Sequence, residues 1–272
     1  MWFAVAFLAQ YAGNARCAEC HADQAAKHSR SPHARALQAA AEEDRRLFGD
    51  ATRWVFGGGH YGRTPLQLHD GQWVEGPRTW FTDTRQLDRT PGHAHDRGVV
   101  QSPRDAERCF SCHATGVRAG PDLSTMVTGV QCERCHGPGE AHSARPSPKN
   151  ILNSGRFGTK QQVQVCGECH RTPPATGASR EPELDDPLSV RFQPVGLMAS
   201  ACFQKSSKLS CATCHDAHAP AVRNDPAFYA AKCAGCHSTR SPKCKTDCVS
   251  CHMPKSNPAP HLTFTDHRIR AY

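Results

Sequence analysis

The sequence predicts a mainly α and irregular fold, compact, with short helices and one small β-hairpin. Its core must be filled by something other than aliphatic side chains. Three observations predict it. Hydrophobic residues are only 38% of the 272 positions, 16 Cys included, and the mean hydropathy is −0.61. Twenty Pro and 21 Gly break up regular structure. Such a chain cannot offset its conformational entropy with its own side chains. Most of the Cys, finally, fall into one repeated pattern.

That pattern is Cys-x-x-Cys-His, and it occurs seven times. The paired thiols are Cys17 and Cys20, Cys109 and Cys112, Cys132 and Cys135, Cys166 and Cys169, Cys211 and Cys214, Cys233 and Cys236, and Cys248 and Cys251. The histidines that follow are His21, His113, His136, His170, His215, His237 and His252. Two thiols at this spacing each add to one vinyl group of a haem, and the adjacent imidazole binds the iron. Zinc sites and thioredoxin-like pairs also use Cys-x-x-Cys, but neither needs a His next to it. The motifs imply seven c-type haems, and the fold class becomes a compact multihaem cytochrome c with a core filled by haems.

Haem attachment of this kind takes place outside the cytoplasm, so the expected location is periplasmic or extracellular. Residues 1–11 are apolar and too short to span a bilayer; they read as the remnant of a signal peptide. Residues 12–272 read as a single heptahaem domain. The formal charge of +8 suggests an acidic partner until the haem propionates are counted. With seven haems the net charge falls to about −6 with ferrous iron and about +1 with ferric iron. The basic side chains then compensate propionates, and no nucleic-acid partner or direct membrane association is expected.

The gaps between motifs are 87, 18, 29, 40, 17 and 10 residues, so haems 2 and 3, and haems 5, 6 and 7, should lie close. Short helices over Pro103–Arg108, Thr159–Val165 and Pro226–Lys232 should present their motifs, two of them opening on proline. In the long first gap, an apolar stripe predicts a helix over His33–Phe48, interrupted by Asp44. A strand is expected at Thr52–Gly57. A hairpin is expected where Leu66–Leu68 and Gln72–Val74 flank the His69-Asp70-Gly71 turn. Trp54, Trp73 and Trp80 should cover haem faces or a small apolar core. Arg145–Ser154 and Arg171–Asp186 read as loops.

Ten His lie outside the motifs: His28, His33, His60, His69, His93, His95, His142, His218, His261 and His267. A low-spin electron-transfer haem takes a second axial ligand, usually His or Met. Met is scarce, with four in the chain. His142 and His218 follow His136 and His215 too closely to ligate the same irons, so each should reach a neighbouring haem. His69 sits at a hairpin tip and His28 on a helix face. Of His93 and His95, one need be a ligand.

The motif set with its surroundings resembles the bacterial multihaem cytochromes grouped with the electron acceptor of hydroxylamine oxidoreductase, the cytochrome c-554 family. The resemblance runs from about Tyr11 to Arg270. It rests on Tyr11–Gly13 before Cys17, Ser31–Ala34, Gly57–Thr64, Gly129–Gly139, Leu209–His218, Asp247–Pro254 and Thr265–His267. It implies bis-His haems in parallel and perpendicular pairs, with His33, His142, His218 and His267 as distal ligands. His261 fits the same role, and His60 and His93 complete the set.

Cys202 and Cys244 belong to no motif. In an oxidising compartment they are expected to form a disulfide; free thiols or a thiolate on iron are the alternatives. The sequence is thus read as an electron-transfer protein with no catalytic residue, working as a shuttle, a conduit or a filament subunit. Its partners would be redox proteins, with other copies of itself as one option. The rival is a multihaem reductase or oxidase of nitrogen or sulfur compounds, which needs an open iron. The best-known nitrite reductases of this kind attach their catalytic haem through a Lys, whereas all seven motifs here end in His.

Overall fold

A computed structural model describes residues 10–93, 95–116, 126–171, 187–237 and 247–270. The chain divides into two compact units, Met1–Ser154 and Gly155–Tyr272.

The first unit is organised by a sheet, which corrects the expectation of a mainly α and irregular fold with one small β-hairpin. Seven strands form it, all antiparallel to their neighbours. They are β1 (Leu37–Ala39), β2 (Thr52–Phe56), β3 (Gly62–His69), β4 (Gln72–Glu75), β5 (Arg78–Phe81), β6 (Gln86–Arg89) and β7 (Val99–Gln101). β3 is the hub, pairing with β2, β4 and β5. The predicted hairpin is its β3–β4 arm. His69 lies opposite Gln72, and Asp70 and Gly71 both take positive φ (47° and 77°), as a two-residue turn between twisted strands requires. The remainder was hidden because Pro65 stands inside β3 and Gly76-Pro77 separates β4 from β5, both of which read as strand breakers. Pro65 loses no ladder bond on its acceptor side: its carbonyl accepts from Gly76 N at 2.9 Å.

The predicted helix over His33–Phe48 is also corrected. Only Glu42–Phe48 is helical, and Leu37–Ala39 is the edge strand β1, with Leu37 opposite Phe56. Leu37 is buried in a cluster with Leu66, Ala106, Phe110 and Ala114, flanked by Trp54, Phe56, Trp73 and Met126. Burial in that cluster outweighs helix propensity for so short a segment. Asp44, which broke the apolar stripe, has a structural use. Its carboxylate accepts from Ala41 N and pairs with Arg63 at 3.0 Å, and the Arg63 guanidinium lies over the Trp80 ring.

The second unit holds short helices at Thr159–His170, Gln193–Ala199, Ala201–Lys205, Cys211–Cys214, Pro226–Ala234 and Cys248–His252. A two-stranded hairpin, Lys255–Ala259 with Leu262–Thr265, completes it. Among the described residues its buried apolar cluster is Val163, Leu197 and Phe203. Each such side chain contributes about 1.5–3 kcal/mol on burial, against roughly 1–2 kcal/mol for ordering each residue's backbone. So small a cluster does not hold the unit together by itself. Among the described residues, no helix is long and apolar enough to cross a membrane.

Candidate haem-binding sites

Each of the seven motifs adopts a helical turn. The predicted presenting helices do not stop before their motifs: Pro103–His113 and Thr159–His170 run through theirs, and Pro226–Ala234 runs into its motif and ends one residue past Cys233. The third and seventh motifs are helices of their own, Cys132–His136 and Cys248–His252. In the first, fifth and sixth, the histidine amide donates to the carbonyl of the first Cys at 2.9–3.0 Å. One turn brings residues three and four apart onto the same face, so both thiols and the imidazole address one ring. Helices this short are marginal unaided, and several are capped by side chains. Ser102, Asp225 and Asp247 accept from Asp105 N, Phe228 N and Ser250 N.

The x residues of the motifs also bind them to the fold. Phe110, in the second motif, is fully buried, with Trp54 and Trp73 edge-on at 6.2 Å and Phe56 at 5.9 Å. Phe56 also meets the His113 ring, 5.0 Å away. Of the three tryptophans expected over a haem or a core, Trp54 and Trp73 thus anchor the second motif, while Trp80 lies under the Arg63 guanidinium. In the third motif, Arg134 Nε donates to Ser111 O of the second at 3.3 Å, and the Glu133 carboxylate accepts from Ala12 and Gly13 beside the first. Neither Phe110 nor Glu133 was singled out from sequence; position inside a motif was their only signal.

Several imidazoles are oriented by a backbone carbonyl. Nδ1 of His113, His136 and His252 donates to Ala36 O (3.1 Å), Leu152 O (2.7 Å) and Arg270 O (2.8 Å). Nδ1 of His142 and His267 donates to Ser147 O (3.1 Å) and Thr265 O (2.9 Å). A carbonyl only accepts, so each Nδ1 carries the proton and Nε2 keeps its lone pair for a metal.

Two ring pairs test whether these residues fit a haem iron. His21 and His142 have ring centres 6.4 Å apart with planes 17° apart. His215 and His267 have centres 6.3 Å apart with planes 34° apart. Metal–nitrogen bonds of about 2.0 Å put the centres of two imidazoles on one iron roughly 6.4 Å apart. Both pairs meet that spacing, and each joins a motif histidine to a histidine from outside the motifs. Burial lowers the His267 pKa to about 4, and burial also lowers that of His215. Both rings are therefore neutral near pH 7, the form that ligates.

His33 is exposed in the turn before β1, and its carbonyl accepts from Ala36 N and Val130 N. His60 is exposed with its ring 4.4 Å from that of Tyr61. His218 is half-buried and its amide donates to Asp216. His261 takes φ 63° in the turn of the second unit's hairpin. The His93 side chain is 5% exposed, its ring nitrogens lack a hydrogen-bond partner, and Nε2 stands 3.5 Å from Glu75 Oε2. His95 is exposed. Of the remaining histidines, His28 is buried with Nε2 against Val130 O, and His69 is exposed at its hairpin tip.

The first Cys of one motif meets the first Cys of another in three places. Cys17 and Cys132 hydrogen-bond, as do Cys166 and Cys211, and Cys233 and Cys248. Burial, with the neighbouring Cys132 thiol adding to it, pushes Cys17 up to about 11, and burial raises Cys109, Cys214 and Cys233 too. At these four positions burial disfavours a thiolate and suits an uncharged sulfur, which is what a thioether is, whereas the hydrogen bond from Cys211 lowers Cys166 to about 7. Cys202 is half-buried, and Cys244 lies outside the described residues, so the expected disulfide does too.

Comparison with known proteins points to the same kind of cofactor. The profile of the family described as cytochrome c554 and c-prime matches residues 16–52 and 78–137. Over those two stretches the chain is similar to the cytochrome c554 family. Its fold is similar to that of the outer cell wall cytochrome OcwA, at 15% identity and a TM-score of 0.62, covering 96% of this chain and 79% of that one. It is also similar to an undecahaem cytochrome from the S-layer of Carboxydothermus ferrireducens, at 17% identity and a TM-score of 0.59. That match covers 97% of this chain and 52% of that one. At these identities the likeness is one of fold. Covalently bound c-type haem agrees with this likeness, and the motif turns are the residues that would hold it.

Proposed function

We propose that this cytochrome carries seven haems, one per motif, with every iron held by two histidines, and that it passes electrons along them outside the cytoplasm. The observation that carries this reading is the spacing of the His21–His142 and His215–His267 rings. It is the spacing of two strong axial ligands, which leaves no coordination position for a substrate. Haem supplies one-electron redox chemistry; the chain supplies anchoring, ligand orientation and a dry surrounding.

Three thiol contacts support close haem edges: Cys17 with Cys132, Cys166 with Cys211, and Cys233 with Cys248. A haem bonded to each member of such a pair starts its edge within a few bond lengths of the next. The distal ligands of this reading are His33, His60, His93, His142, His218, His261 and His267. His93 is favoured over His95, because a buried ring without a hydrogen-bond partner is one that a metal would satisfy. The location outside the cytoplasm is supported by haem attachment itself and by the cell-wall and S-layer settings named for the two similar structures. Redox proteins are its partners.

Intact mass of the exported protein combined with a spectroelectrochemical titration tests this. The reading expects the mass of the chain plus seven haems, and seven electrons taken up per molecule. Fewer haems, or electron uptake that stops short of the haem count, contradicts it.

A further inference from the structure

Glu133 lies inside the third motif yet serves neither of its thiols. It is 6% exposed. Its Oε1 accepts from Ala12 N and from Gly139 N, both at 2.7 Å, and its Oε2 accepts from Gly13 N at 2.9 Å. A buried carboxylate with three backbone donors is satisfied without a cation.

The segments it joins matter more than the number of bonds. Ala12 and Gly13 open the helix Asn14–Ala18, which carries Cys17 and leads directly to His21. Gly139 is the N-cap of the helix Glu140–Ala144, which carries His142. The carboxylate therefore holds the start of both segments whose histidine rings lie 6.4 Å apart, centre to centre. Gln10 O also accepts from Glu140 N at 3.2 Å, between the same two segments. The far end of the His142 helix is fixed separately: Asn150 Nδ2 donates to Ala141 O and Arg145 O, and its Oδ1 accepts from His142 Nδ1. His142 is thus oriented by Asn150, while its distance from His21 is set through Glu133.

We propose that Glu133 is a positioning residue for the haem of the first motif: through its two oxygens it fixes the separation of His21 and His142 and so the strength of the distal bond. This rests on the proposal that those two histidines share an iron. A carboxylate suits the task because both its oxygens only accept. An amide in its place turns a donor toward either Gly13 N or the Ala12 and Gly139 amides, and an aspartate is one methylene too short to span the segments.

The test compares Glu133→Gln, Glu133→Asp and His142→Ala by intact mass and by carbon monoxide binding to the fully reduced protein. An iron with two histidines does not take up carbon monoxide; an opened one does. With seven haems still attached, His142→Ala is expected to open about one-seventh of the haem. Glu133→Gln is expected to raise the binding fraction from near zero toward that value, with Glu133→Asp between. If His142→Ala opens an iron and both Glu133 variants stay closed, the positioning role is overturned and the ligand pair stands. If His142→Ala opens none, the ligand pair fails and the positioning role with it. Loss of one whole haem from the Glu133 variants assigns the residue to attachment and also overturns the proposal.

Discussion

The imidazoles of His215 and His267 stand 6.3 Å apart, ring centre to ring centre, in the second unit of the chain. His215 closes the fifth motif turn, and the Tyr229 ring meets it edge-on at 5.9 Å. His267 follows the C-terminal hairpin, buried, with Nδ1 tied to Thr265 O. Two segments distant in sequence thus place two neutral rings at the separation an iron demands. Replacing His267 by Ala is expected to leave all seven haems attached and open one iron. The reduced variant should bind carbon monoxide at about one-seventh of its haem. His69→Ala, at an exposed hairpin tip, should bind none.

Phe110 couples the second motif to the sheet. Its ring is fully buried against Trp54, Trp73 and Phe56. Phe110→Ala removes that packing and is expected to cost about 3–5 kcal/mol. Thermal denaturation followed by far-UV circular dichroism should show an early transition. Phe110→Leu should restore most of the midpoint. A midpoint unmoved by the alanine would mean that the haem, not the Phe110 cluster, holds the motif.

The contact between Cys233 and Cys248 predicts coupling between the sixth and seventh haems. Removing the sixth haem by replacing Cys233 and Cys236 together with Ala should change the electron paramagnetic resonance of the oxidised protein by more than one lost signal. The line of the seventh haem should move as well. A difference spectrum showing one missing low-spin signal and no other change would remove this pair from the electron path.

Gly129 has a positive φ of 77°, and a Cβ built on it would sit 2.1 Å from Ala34 O. This close approach lets the next residue, Val130, donate to His33 O at 2.9 Å. Gly129→Ala combines backbone strain with a backbone clash, a loss of at least about 1–3 kcal/mol. The yield of haem-loaded protein should fall several-fold, measured as haem absorbance per milligram. An unchanged yield would show that the turn carrying His33 can shift without harm.

The motifs were legible because haem attachment is written in contiguous residues. The helices at Pro103 and Pro226 were legible from their proline starts, and the β3–β4 hairpin from Asp70 and Gly71. The rest of the sheet was not. Its strands are held by partners far along the chain, Pro65 stands inside the central one, and the apolar residues around Leu37 fit a helix as well as an edge strand. The site divides in the same way. That His142 lies opposite His21 follows from the path of the backbone, and no local pattern encodes it. The carbonyls that orient Nδ1, from Ala36, Leu152, Ser147, Thr265 and Arg270, belong to residues whose side chains take no part.

The central claim is that every iron is held by two histidines. The most direct measurement is the low-temperature electron paramagnetic resonance spectrum of the fully oxidised protein, with spins quantified against total haem iron. Coupling between close haems hides intensity, so the integration must account for all the iron. The account predicts low-spin ferric signals alone. A high-spin signal amounting to one or more irons per molecule would contradict it and expose an iron open to substrate.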